Sequence, residues 1–185
     1  MEIKGTAVKI TPEFMKLNHA EQFNQWLELL PPDSRKIITE PIYATQWYPL
    51  EESIIVPTKI LGELCYNSPK EGAMAVGIYS AEVALKGVYK IFLRVTSPHF
   101  ILGRASSVFA SYYNPSDVRV EKTTANSTEI IINKFTRQEA LIVYRIAGWV
   151  ARTVELTGRV KDSVDVNIFD NADGSVTFKV VAKWK

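Results

Sequence analysis

The sequence predicts an α+β fold: a helical N-terminal two-thirds packed on a small antiparallel sheet, made of two hairpins that flank a long C-terminal helix. Three observations carry this. Helix-start and helix-stop signals punctuate residues 1–115, with apolar residues three or four apart between them. After Asn114-Pro115 the apolar period shortens to two, at Val118 to Glu121, Glu129 to Lys134, Val164 to Ile168 and Val176 to Trp184. Between those two pairs of strands lies one helical run, Arg137 to Thr157, containing LIVYRIAGWVARTVEL. No repeat, linker or low-complexity tract divides the chain, so residues 1–185 read as a single domain.

Taken in order, Lys4 to Ile10 reads as a short strand or extended arm, and Thr11-Pro12 as a cap and first helical position. Asn18 and Glu21 have capping-box spacing ahead of a helix that carries Phe23, Trp26, Leu27 and Leu30 on one side, stopped by Pro31-Pro32. Asp33 to Thr39 is a short helix, and Glu40 to Leu50 an irregular segment carrying Tyr43, Trp47 and Tyr48. Those three rings either seal the core or form an interaction surface. Pro57 begins a helix with Ile60, Leu61, Leu64 and Cys65 on its buried side.

The stretch Ser68 to Arg94 opens with Ser68, Pro69 and Glu71, a full helix-start signature. Inside it Ala73, Gly77, Ala81 and Ala84 form a face of almost bare backbone, and Ala147 and Ala151 repeat that feature on the later helix. Such faces suit either close packing or the wall of an apolar pocket. Gly87 is a bend point, Ser97-Pro98 restarts a helix to Tyr113, and Asn114-Pro115 stops it. Thr136 and Glu139 form the capping box of the last helix, Gly158 its C-terminal stop, and Asn171 to Gly174 the final turn.

Charge and composition exclude several classes. Twenty-two basic residues against 20 acidic give a net charge of +2, too little for a field that would attract nucleic acid. Cys65 stands alone, which excludes an internal disulfide and fits a reducing, cytoplasmic setting. The start MEIKGTAVKI lacks a signal peptide's apolar core, and no apolar run approaches the roughly 18 residues that a membrane span needs.

Catalytic apparatus is not legible. The histidines are His19, read as a surface residue, and His99 at the second position of a helix, read as structural. With Cys65 on an apolar face they cannot make a closed zinc site. No phosphate-binding, dinucleotide-binding or nucleophile-elbow motif occurs, so no catalytic, cofactor-binding or metal-ligating residue is assigned. Arg145 and Arg152 lie seven apart on the last helix, which reads as a solvated face; with Arg94 and Arg104 they make a candidate anion patch.

The order of elements, together with ILGELCYN, VGIYSAEVALKGVYKIF, YRIAGWVARTVELTG and DGSVTFKVVAKW, resembles one superfamily. It comprises the haem nitric-oxide/oxygen sensors (H-NOX), the 4-vinyl reductase domains and the small TRAPP vesicle-tethering subunits. The chain is most similar to a bacterial family of that fold, through Lys4 to Lys9, Trp47 to Glu52, Pro57 to Lys59, Ser80 to Gly87, Ser97 to Phe100 and Tyr112 to Pro115. The resemblance implies a non-enzymatic protein. The chemical residues of each group are missing. The helix before the first hairpin has only His99, near its start, and Glu129 to Phe135 lacks the Tyr-x-Ser-x-Arg of the haem sensors. Asp173 and Phe178 match the 4-vinyl reductase element, but Ala172 and Val176 replace its glycine and cysteine. Thr96 and Ser97 stand where some TRAPP subunits carry an acylated cysteine.

The resulting expectation is an interaction or scaffolding module, homodimeric or bound to a protein partner, without cofactor or haem. The alternative is a sensor that holds a small apolar ligand, lipid or tetrapyrrole-like, between the long helices and the sheet.

Overall fold

The structure is a computed structural model and describes residues 1–85 and 96–185. The first strand, β1 (Glu2–Lys4), pairs antiparallel with β2 (Trp47–Pro49) on one side and β3 (Tyr113–Asn114) on the other. Only the beginning of the expected arm is therefore extended; Gly5–Val8 is a helical turn (α1) and Ile10–Asn18 is α2. The cause is local. The Gly5 and Thr6 N–H groups donate to the carbonyls of Gln46 (2.9 Å) and Ala44 (3.1 Å), which satisfies the free donors of a helix start. Gly5 itself lies beneath the Tyr43 carbonyl, where a Cβ would collide.

Asn18 does not cap the next helix. Its side chain donates back to the Phe14 carbonyl at 3.1 Å and closes α2, while a short 3₁₀ turn at Ala20–Gln22 leads into α3 (Phe23–Leu29). Trp26 on α3 is fully buried and its indole N–H donates to the Pro57 carbonyl at 3.0 Å. Pro32–Thr39 forms α4.

The following helix starts earlier than Pro57. Glu51–Ile55 forms a widened π turn that runs directly into α5 (Val56–Cys65). Proline has no N–H to donate into the preceding turn, so the ladder loosens there without losing a bond. The Ser53 hydroxyl donates to the Pro49 carbonyl at 2.6 Å and holds the start of that turn.

The long helix is α6 (Pro69–Leu85); the remainder of the expected span, with Gly87, Lys90 and Arg94, lies outside the described residues. Its cap is half a capping box. Ser68 Oγ accepts from the Glu71 N–H at 3.3 Å, but the Glu71 carboxylate accepts from Asn67 Nδ2 at 3.1 Å. The helix expected from Pro98 to Tyr113 is two: α7 (Pro98–Leu102) and α8 (Ala105–Tyr112). The break falls at Gly103-Arg104, with Gly103 folded against the His99 carbonyl. The Asn114–Pro115 peptide is cis.

From there the expected hairpin–helix–hairpin follows. Strands β4 (Asp117–Thr124), β5 (Ser127–Asn133), β6 (Lys161–Asp170) and β7 (Val176–Trp184) form an antiparallel sheet in the order β4-β5-β7-β6. Ile130, Ile132, Phe178, Val180, Ala182 and Trp184 alternate onto its buried face. The helix between the hairpins is α9 (Ala140–Leu156), followed by Gly158 at φ 79°. The fold is thus α+β, helices first and antiparallel strands around one long helix after. No described helix is long and apolar enough to cross a membrane.

The two long helices meet at their glycines. A Cβ on Gly77 of α6 would strike the Arg145 carbonyl, and a Cβ on Gly148 of α9 would strike the Met74 carbonyl. Ala73, Ala81, Ala147 and Ala151 are buried, and the α6–α9 crossing brings backbone against backbone.

Candidate functional site

Beside the end of α6 and the middle of α9, with α1, the start of α2 and α8 as the other walls, lies a cavity of about 140 Å3. Its walls are mainly apolar: Ile10 from α2, Val83 and Ala84 from the end of α6, Phe109 from α8, Ile146 and Trp149 from α9. The spacing of α9 explains its share, since residues 145, 146 and 149 lie on neighbouring positions of one helical face.

One charge sits in that wall. Arg145 is 5% exposed, so the solvated face expected for it is wrong. Its guanidinium donates to Thr11 Oγ1 and to the Ala7 carbonyl, both at 3.0 Å. No carboxylate among the described residues pairs with it, and burial pushes its pKa down. Tyr113 is beside it, 8% exposed, with its ring edge-on to Phe135 at 5.6 Å. Burial is the larger influence on the Tyr113 hydroxyl and pushes its pKa up, against the opposing pull of Arg145. The phenol is therefore a protonated donor at neutral pH.

The other arginines do not join Arg145. Arg152, two turns further along α9, bridges Glu82 on α6 (2.9 Å) and Glu155 (3.0 Å). Arg104 folds back onto α7, donating to the Phe100 carbonyl at 2.9 Å with its guanidinium 3.8 Å above the Phe100 ring. Arg94 lies outside the described residues. The described members of the candidate patch thus stand in three separate environments, because two of them find partners close in sequence or on the facing helix.

The aromatic segment also divides. Tyr48 is buried and its hydroxyl accepts from the Tyr43 N–H at 2.8 Å; Trp47 lies under Lys4 Nζ at 3.9 Å; the Tyr43 ring is 62% exposed. Of the small-residue face, Ala84 alone lines the cavity, while Ala73, Gly77 and Ala81 are buried along α6.

Neither histidine faces the cavity. His19 is half-buried between Phe14 and Tyr66, with Nε2 3.1 Å from the Tyr66 hydroxyl and a pKa lowered by burial. It is not the surface residue expected. His99 Nε2 lies 3.0 and 3.1 Å from the carbonyls of Thr124 and Ala125, so it carries the proton; Nδ1 then accepts from Thr128 Oγ1 at 2.7 Å. The ring packs edge-on to Trp184 at 4.8 Å and clamps the β4–β5 turn. Cys65 is half-buried, and burial raises its thiol pKa. No cluster of three or more metal-ligating side chains occurs among the described residues.

Sequence reasoning missed Thr11, Ala7 and Tyr113 as neighbours of Arg145, because their distance along the chain hides the contact. One signal was available: Arg145 is the only charged residue between Ala140 and Ala151. An arginine inside such an apolar run is buried unless the whole face is exposed.

The whole architecture has close structural counterparts. Fe(II) unliganded H-NOX protein from K. algicida is similar with a TM-score of 0.67 at 14% identity, covering 98% of this chain and 96% of that one. A T. tengcongensis H-NOX mutant gives 0.69 at 14% identity, covering 99% and 98%. A structure from work on haem distortion in the H-NOX family gives 0.73 at 13% identity, covering 99% and 95%. At these identities the likeness establishes the fold, which is that of the H-NOX domain. No protein-family profile and no curated protein sequence matches the chain.

Proposed function

We propose that this chain is a non-catalytic sensor domain that binds one small, largely apolar ligand in the cavity between α1–α2, α6, α8 and α9. The observation that carries the reading is the cavity itself, apolar-walled and bounded by the two long helices and the N-terminal segment. Its volume of about 140 Å3 is close to that of an engineered cavity of about 150 Å3 that admits benzene. The H-NOX fold supports the reading, since the similar structures include haem proteins.

Haem itself does not fit the residues present. The only two histidines of the sequence lie away from the cavity, and both ring nitrogens of His99 are engaged by the β4–β5 hairpin. Tyr113 is kept as a neutral phenol by burial. A volume of about 140 Å3 matches a single six-membered ring better than a tetrapyrrole, so the proposed ligand is smaller than haem.

A scaffolding role draws less support. The bare-backbone faces of α6 and α9 cover each other within the chain, so they offer no surface to a second copy.

Trp149 in the cavity wall provides the test. Titration with benzyl alcohol or toluene should alter its emission saturably and raise the melting temperature. An unchanged spectrum and melting temperature with both compounds, and with charged benzene derivatives, would remove the sensor reading.

A further inference from the structure

We infer that the ligand of this cavity is a small monocarboxylate with an apolar body no larger than a benzene ring, its carboxylate held by Arg145 and Tyr113. The inference rests on the reading of the cavity as a ligand site and adds the chemical class.

The argument starts from an unbalanced charge. Arginine remains ionised in proteins and carries five N–H donors in a planar fork. Arg145 is nineteen-twentieths buried, and the acceptors it has are a neutral hydroxyl and a neutral carbonyl. Burying an ion without an opposite charge is costly, and protein interiors avoid it unless a partner arrives. Arg152 on the same helix shows the ordinary solution, with two glutamates in contact. At Arg145 the sequence supplies none among the described residues, yet places it in the wall of the cavity.

The geometry then selects the partner. Two of the five donors are committed to Thr11 and Ala7, leaving donors on the same fork for a planar, bidentate acceptor. Tyr113, also in the wall, adds a neutral O–H donor with no hydrogen-bond partner among the described residues. Arg145 and Tyr113 bring donors to one cavity wall with no anion opposite them among the described residues, so an acceptor-rich anion fits and a cation does not. The remaining walls, Ile10, Phe109, Ile146 and Trp149, suit a compact apolar body. Benzoate has both parts and the right size.

Calorimetric titration of the wild-type protein with benzoate, benzyl alcohol and benzamidine tests the inference. Benzoate should bind at least about tenfold more tightly than benzyl alcohol, the value of one charge-assisted hydrogen-bond pair, and benzamidine should bind most weakly. Arg145→Met should abolish the preference for benzoate while retaining benzyl alcohol. Tyr113→Phe, which keeps the ring, should weaken benzoate severalfold and leave benzyl alcohol unchanged. If benzoate and benzyl alcohol bind equally to wild type, the carboxylate assignment fails and the sensor reading stands. If none of the three binds, both fail. Should Arg145→Met not fold, the wild-type ratio and Tyr113→Phe decide the matter alone.

Discussion

The main-chain carbonyl of Arg145 fills the space above Gly77 that any side chain at residue 77 would need. The same residue therefore seats α9 against α6 through its backbone and presents a buried charge to the cavity through its side chain. Packing and site share one residue.

Gly77→Ala and Gly148→Ala test the crossing. Alanine favours a helix over glycine by about 1 kcal/mol, so an uncrowded position would gain stability. Here each Cβ meets backbone, which cannot rotate away, and overpacking of that kind costs about 1–3 kcal/mol or more. Each variant should be less stable than wild type by about 2 kcal/mol in urea denaturation with an unchanged slope. Equal or higher stability would mean that the helices separate freely.

The contrast with what the sequence disclosed is physical. The strands of both hairpins and the last helix were legible because period-two alternation and Gly158 act locally. The helix nevertheless starts at Ala140 rather than Arg137, and only the Glu139 half of the Thr136–Glu139 capping box forms, its carboxylate accepting from the Thr136 N–H at 2.7 Å. The small-residue stripe of α6 was legible too, since Gly77 and the alanines are spaced by the helix itself. The three-stranded sheet β2-β1-β3 was not, because it joins residues 2–4, 47–49 and 113–114 with almost no strand pattern. The split at Gly103-Arg104 and the π turn before Pro57 were hidden for a similar reason: apolar spacing continues across both. The cavity was least visible of all. Arg145 reads as surface by residue type; the apolar run around it hints at burial, but its partners Ala7 and Thr11 lie 138 and 134 positions away and no local pattern names them.

Thr11 is the neutral acceptor that makes the buried Arg145 tolerable, fully buried itself and 3.0 Å away. Thr11→Val keeps the shape and removes the oxygen, leaving a charged donor unsatisfied. A loss of about 1–3 kcal/mol is expected, with Thr11→Ser restoring most of it, as read by thermal denaturation. Identical melting of the valine variant would show that Arg145 finds water instead.

His19 gives the fold an acid sensitivity. Burial lowers its folded pKa below the ordinary 6.5, so the unfolded chain binds the proton more readily. Stability is then complete above about pH 6.5 and falls as pH drops below it, because the native state resists protonation there. His19→Gln should flatten the stability profile between neutral pH and pH 5, measured by denaturation at a series of pH values. A slope that persists unchanged in the variant would assign the effect elsewhere.

The His99 clamp is structural. Its ring joins α7 to the β4–β5 turn through Thr128 and the carbonyls of Thr124 and Ala125. His99→Ala leaves the buried Thr128 hydroxyl without its partner, at a cost of about 1–3 kcal/mol, while the exposed Thr124 and Ala125 carbonyls turn to water. Amide exchange should speed at residues 124–128 far more than along α6, and uniform exchange changes would mean that the ring only fills space.

Lys134 tests the backbone independently of the cavity. It is a non-glycine residue with φ 74°, at the end of β5, and its side chain is exposed. In that left-handed region a Cβ costs about 1–2 kcal/mol, and the cost is larger for a β-branched residue. Lys134→Gly removes the strain but adds about 0.5–1 kcal/mol of unfolded-state entropy, so a net gain of a few tenths to about 1 kcal/mol is expected. Lys134→Val should instead lose more than 1 kcal/mol or so, since both γ carbons crowd the carbonyl. Lys134 is in no ion pair among the described residues, so the order glycine above lysine above valine in denaturation midpoint follows from φ. Any other order would place residue 134 in ordinary extended backbone and shift the start of α9 with it.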